Sequence, residues 1–236
     1  MPTQSHSVLA ELYEDIVIGT FSFGTKLGEE SLVERYGTKR HILREAFSQL
    51  EEFGFVERVP NRGVFVREPH PDEVRELFEL RELLEIRAVT IMTLPAPAEI
   101  TDKMREIHLQ HRAATRDAHF REVLHLNNEF HRLQYSACGN KTLAAAIQDY
   151  ATRTHLITTM KFVDPQMMDN VIAQHEAIIE AMMGTDHDAL AAAIQAHFDL
   201  ARIEQYRAQY LIRHQESRKP GTPAEQTWLN RRANAS

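Results

Sequence analysis

The chain has 236 residues, 43% apolar and 26% charged, with a formal net charge of −7. That balance fits a globular protein and excludes a globally basic nucleic-acid binder. A single cysteine excludes an intramolecular disulfide and any multi-cysteine zinc motif. The opening MPTQSHSVLAEL lacks a secretory signal, and no apolar run approaches the roughly 18 residues that span a bilayer, so a cytoplasmic protein without membrane contact is expected.

The first 68 residues mix helical and strand signals. Val8, Leu9, Leu12, Ile16 and Val17 stand at helical spacing and predict a helix over 5–19, broken by the stretch Gly19 to Gly24. A short helix follows over 29–36, ended by Gly37. Thr38 is the expected N-cap of a third helix that runs to Phe53, with Gly54 in the place of a C-terminal glycine. Phe55–Val59 and Val64–Val66 read as strands joined by a turn over 60–63. Helix, helix, turn, helix and hairpin is the order of a winged helix-turn-helix.

A boundary falls near Glu68-Pro69-His70-Pro71. Beyond it the pattern is helical, with segments at 71–94, 98–117, 119–137, 141–161, 165–183 and 187–214. Asp164-Pro165 and Asp186 are natural helix starts. The fold class is therefore mainly α: a winged helix-turn-helix domain (1–68), an all-α helical-bundle domain (69–215), and a polar tail (216–236) expected to be disordered.

Arg35, Lys39, Arg40 and Arg44 stand within ten residues that hold no acid. DNA contact needs such a local positive surface rather than a basic whole. At 100° per residue from Arg40, Leu43, Ala46, Phe47 and Leu50 form one apolar face between about 240° and 340°. Arg40, Arg44 and His41 occupy a separate face between 0° and about 100°. Lys39 sits at the N-terminal end, which a recognition helix pushes deepest into the major groove. Arg62, at the hairpin tip, is placed to reach the adjacent groove or backbone. Taken alone, two arginines one turn apart describe a solvated helix face; the short helix, glycine turn and basic-tipped hairpin point to a DNA reader.

Three histidines face inward on three different helices by pattern. His131 lies with Leu124, Asn127 and Tyr135, His175 with Ile172, Ile178, Ile179 and Met182, and His197 with Ala193, Ile194, Leu200 and Ala201. On the residues alone, hydrogen-bonded core histidines and metal ligands are both open readings. A hydrolase would need a general base beside them, and Glu176 points about 100° away from His175 on the same helix.

The stretch 24–37 (GTKLGEESLVERYG), then Lys39–Ala46 (KRHILREA), Leu50–Val56 (LEEFGFV) and Asn61–Val66 (NRGVFV), resembles the DNA-binding domain of the GntR family of bacterial regulators. The resemblance implies that Arg35, Arg40, Arg44 and the hairpin tip, Arg62 and Gly63, touch DNA. Lys39 and His41 replace smaller residues common in the family and bear on base preference.

Asn127-Asn128-Glu129-Phe130-His131 followed by Gly139-Asn140, then Gln174-His175, then Ala196-His197 with Arg202 beyond, is similar to the histidine motifs of the FCD effector domain of the FadR subfamily, at spacings of 44 and 22 residues. Glu79–Glu85 (ELRELLE) resembles that domain's opening helix. In metal-binding members an Asp and three His hold a divalent ion. The resemblance thus implies a site of Asn127, His131, His175 and His197, with Asn127 at the Asp position, four residues before His131 and on its face of the helix. Zinc is the first choice of metal, with nickel, manganese or iron (and copper by ligand type) as alternatives. An amide at the carboxylate position leaves the ion's charge less compensated, which favours a small carboxylate as effector. Arg81 is a candidate second anchor for it, or else the ion-pair partner of Glu85. The histidine motifs argue against an acyl-CoA effector. A dimeric regulator of a near-palindromic operator is expected, because two-fold protein symmetry is matched by the DNA; repression with ligand-driven release is the expected sign.

Overall fold

The computed structural model describes residues 4–158, 165–198 and 200–216, and the tail from 217 onward lies outside them. The chain falls into two units, 1–199 and 200–236, taken separately below.

The first unit opens with α1 (Gln4–Val17), β1 (Lys26–Leu27), α2 (Glu29–Arg35), α3 (Arg40–Glu52), β2 (Val56–Val59) and β3 (Gly63–Val66). α1 packs on α3, with Leu12, Leu43, Phe47, Leu50 and Phe55 all buried. The three strands form an antiparallel sheet in the order β1-β3-β2, with Lys26 opposite Phe65 and Arg58 opposite Val64. The winged helix-turn-helix order is present. A two-residue strand, β1, is additional; two residues carry no readable alternation, and β1 is recognisable only by its pairing with β3.

One cap differs from expectation. Lys39, not Thr38, is the N-cap of α3, and no side chain caps that end. Thr38 is committed to the helix before it. Gly37, at φ 56°, donates to the Glu34 carbonyl and Thr38 N–H to the Val33 carbonyl, a Schellman closure of α2 that turns Thr38 inward. Gly54 closes α3 in the same way: at φ 81° it donates to Glu51, and Phe55 donates to Leu50.

The remaining elements of this unit are α4 (Pro71–Ile91), α5 (Ala98–Arg116), α6 (Phe120–Ser136), α7 (Lys141–Arg153), α8 (His155–Thr158), α9 (Pro165–Met183) and α10 (His187–His197). α5 packs against both α6 and α9, α9 against α10, and α4 against α7 and α10. Asp186 caps α10 by accepting from the Asp188 and Ala189 N–H groups. The helix expected over 141–161 is interrupted at Thr154, whose hydroxyl turns back on the Ala151 carbonyl; its last residues, 159–161, lie outside those described. The helix expected over 187–214 ends at Phe198, which leaves helical geometry and is buried against Phe78. In the second unit, α11 (Leu200–Glu216) carries Tyr206 and Tyr210 with ring centroids 6.2 Å apart.

The bundle is keyed into the winged part. Leu124 of α6 and Leu156 of α8 belong to the winged part's buried core. Asp15, 1% exposed, is surrounded by Arg35 at 2.9 Å, the Tyr36 hydroxyl at 2.7 Å and Arg121 of α6, which also pairs with Glu14 at 2.6 Å. Tyr13 hydrogen-bonds His155, and Arg153 donates to the Glu52 carbonyl at the end of α3.

Candidate metal centre and DNA-reading face

Lys39, Arg40, His41 and Arg44 are exposed along one side of α3, and Arg62 and Gly63 are exposed at the hairpin tip. Leu43, Ala46, Phe47 and Leu50 are buried on the other side, so hydrophobic burial fixes which way the cations point. Arg44 is not idle in the free protein: its Nε and Nη2 hold the two oxygens of Glu29 at 2.8 and 2.9 Å. That clasp lowers the Glu29 carboxyl from its ordinary range. Arg35 is tied to buried Asp15 and lies over the Phe21 ring, yet it is 47% exposed. Arg62 lies over Phe65 at 5.4 Å.

Sequence reasoning passed over Arg58. Its Nη2 bonds the Ser48 hydroxyl at 2.9 Å and its Nε pairs with Glu51 at 2.8 Å, which sets another guanidinium beside α3. Alternation gave no signal for it: Arg58 shares the parity of buried Val56 in the strand Val56-Glu57-Arg58-Val59, yet Glu57 and Arg58 are both exposed.

His131 on α6, His175 on α9 and His197 on α10 converge, with one ring nitrogen from each within 4.8 Å of the others. Phe130 stacks on His175 with centroids 4.1 Å apart and planes 15° apart, which fixes that ring. Gln134 Oε1 holds His131 Nδ1 at 2.9 Å, and Gln174 Oε1 holds His197 Nδ1 at 3.0 Å. Gln174 is itself oriented by donating Nε2 to the Ala196 carbonyl at 2.9 Å. An amide oxygen at Nδ1 selects the tautomer with Nδ1 protonated and leaves each Nε2 lone pair free to ligate. Burial pushes all three imidazoles toward the neutral form, His131 down to about 4 and the other two well below their ordinary value.

The donor set fits a transition-metal ion. Three imidazole nitrogens on one tetrahedral ion at about 2.1 Å stand about 3.4 Å apart; here they lie within 4.8 Å of one another, close enough for side-chain adjustments to close the set. His175 is 0% exposed and neither of its ring nitrogens has a hydrogen-bond partner. Core histidines held by hydrogen bonds would not leave both unsatisfied, because each orphaned buried group costs about 1–3 kcal/mol. Asn127 sits one turn before His131 on α6 and is partly buried.

Arg81 of α4 is engaged. Its Nε and Nη2 hold Glu85 Oε1 at 3.1 and 2.8 Å, and Nη1 donates to the Thr154 hydroxyl at 2.8 Å. Tyr135 donates to the other Glu85 oxygen. The guanidinium nonetheless lies close enough to His131 and His197 to oppose their protonation.

His108 and His111 of α5 also went unnoticed in the sequence. Both are buried, and the ring centroids lie 6.3 and 5.2 Å from that of His175. Their position behind the cluster follows from α5 packing on α9, which no spacing in the sequence announces.

The family described as "FCD domain" matches residues 76–200, more than half of the chain, and that described as "Bacterial regulatory proteins, gntR family" matches 4–66. The chain is a GntR-family transcription regulator with an FCD domain. It is 25% identical over 202 residues to the HTH-type transcriptional repressor RspR of Escherichia coli (strain K12), covering 83% of this chain and 87% of that one. The HTH-type transcriptional regulator YdhC of Bacillus subtilis (strain 168) is 23% identical over 80% of this chain and 85% of its own. The Nta operon transcriptional regulator of Aminobacter aminovorans is 27% identical over 75% and 82%. Among solved structures, E. coli McbR/YncC shares the fold with a TM-score of 0.73 at 18% identity, over 89% of this chain and all of that one. A GntR regulator from Rhodococcus sp. RHA1 gives 0.70 at 21%, over 86% of this chain and 97% of that one. The family and these relatives are transcriptional regulators rather than enzymes, which sets the hydrolase alternative aside. No described helix is long and apolar enough to cross a membrane.

Proposed function

We propose that this GntR-family regulator senses a small carboxylate at a metal centre in its helical domain (69–215) and answers by changing how its winged domain (1–68) holds operator DNA. The observation that carries this reading is the cluster of His131, His175 and His197, in which His175 is fully buried with both ring nitrogens unpartnered. His131, His175 and His197 would hold a divalent ion through neutral imidazoles, with the Asn127 amide oxygen as a further donor. The ion, zinc first, with nickel, manganese or iron as alternatives, supplies a Lewis-acidic point with positions open to a carboxylate. Asn127 brings no charge, so an anionic effector offsets what the protein leaves uncompensated, and Arg81 adds attraction from the α4 side.

A homodimer reading a near-palindromic operator is part of the proposal. Lys39, Arg40, His41 and Arg44 would enter the major groove, and Arg35, Arg62 and Gly63 would follow the backbone or the adjacent groove. Repression is the favoured sign, since RspR is named a repressor. Arg81 bonds Thr154, whose neighbours Arg153 and His155 bond α3 and α1. A carboxylate that draws Arg81 toward the centre would therefore disturb both helices of the DNA reader.

The test is fluorescence anisotropy on operator DNA selected from a random pool, with zinc-loaded protein and a panel of small mono- and dicarboxylates. At least one acid is expected to change DNA affinity tenfold or more, and His197→Ala to abolish the response. Equal affinity across the panel, metal-loaded or stripped, would refute the reading.

A further inference from the structure

We infer that His111 is a positioning residue of the metal centre, accepting the second ring N–H of His175. The inference rests on the metal reading of the triad and extends it to α5.

A ligating imidazole gives one nitrogen to the metal and its other N–H to an outer partner, which fixes tautomer and ring orientation. His131 and His197 have such partners in Gln134 and Gln174. Neither ring nitrogen of His175 bonds any group. Beside it lies His111, 1% exposed, also with both ring nitrogens unpartnered. Two imidazoles joined nitrogen to nitrogen at about 2.9 Å have centroids about 5 Å apart; here the centroids are 5.2 Å apart. His108, one turn earlier on α5, has an unpartnered buried Nδ1.

The donors and acceptors balance without any charged ring. His175 binds through one lone pair and donates its N–H to His111. His111 accepts that N–H on one nitrogen. Both orphaned nitrogens of His175 and the facing nitrogen of His111 are explained together, and the Phe130 stack keeps the His175 plane in register.

The test compares full-length wild type, His111→Leu and His111→Gln, with zinc affinity measured by competition against a chromophoric chelator and the ligand field of the Co2+ form read by its visible spectrum. Leucine fills the space without a nitrogen; glutamine restores an acceptor and a donor. His111→Leu is expected to keep one metal per chain with affinity lowered about 10- to 100-fold and a shifted Co2+ band. His111→Gln is expected to recover most of the affinity. Wild-type affinity in His111→Leu, or equal losses in both variants, overturns the role of His111 while the metal centre stands. Wild-type protein that takes up no zinc overturns the metal reading, and this inference with it.

Discussion

Arg44 is held by one partner and is proposed to serve a second. In the free protein Glu29 neutralises it bidentately, in the geometry that a guanine edge or a phosphate would use. Arg44 is exposed and Glu29 partly so, which makes this a weak ion pair that the proposed DNA contact can replace. Arg44→Ala is expected to weaken operator binding roughly 5- to 150-fold at fixed salt, read by anisotropy; an unchanged affinity would remove Arg44 from the interface. The buried histidines set a second expectation. His111 and His131 are depressed to about 4 and His155 to about 3, each chiefly by burial. In the unfolded chain these rings protonate near 6.5, so below that pH the unfolded state binds more protons than the folded one. Their contribution is complete above pH 6.5 and is lost as pH falls toward 4, at up to about 1.4 kcal/mol per pH unit for each ring. Thermal melts of metal-free protein should show a flat Tm above pH 7 and a steady fall from 6.5 to 5. A constant Tm over that range would mean that these rings are not held neutral.

At the scale of elements, α3 works because its apolar and cationic faces are separate. Leu43 is fully buried between α1 and α3, and Leu43→Ala should cost about 2–5 kcal/mol in denaturant unfolding. A loss below 1 kcal/mol would mean that this core is loosely packed. The faces of α3, the hairpin and the helical pattern of the remainder were legible in the sequence because helical periodicity and turn glycines are local signals. The convergence of His131, His175 and His197 was legible only through motif resemblance. Their helices are brought together by tertiary packing, to which single-chain spacing is blind. Gln134, and the pairing of Gln174 with His197, escaped notice for the same reason, although each glutamine lies within three residues of a named histidine. Thr38 was misassigned because it satisfies the composition of an N-cap while the Schellman closure of α2 claims its backbone. The breaks at Thr154 and Phe198 depend on side chains reaching distant partners, Arg81 and Phe78, which no local propensity encodes.

At the scale of the molecule, Thr154 is the meeting point of the candidate effector site and the DNA reader. Arg81 holds its hydroxyl, Arg153 reaches the end of α3, and His155 reaches Tyr13 of α1. Thr154→Val removes the hydroxyl while keeping its shape. It is expected to leave operator affinity within about threefold of wild type and to lose most of an effector response whose full size is typically 5- to 150-fold. An intact response in that variant would move the coupling elsewhere. All of this depends on the histidine centre holding an ion. The most direct test is elemental mass spectrometry of the full chain, purified without chelator or nickel resin, beside a His131→Ala/His175→Ala/His197→Ala variant. The account predicts close to one transition-metal ion per chain, lost in the triple variant. Native protein without metal, or a triple variant that retains it, would contradict the account.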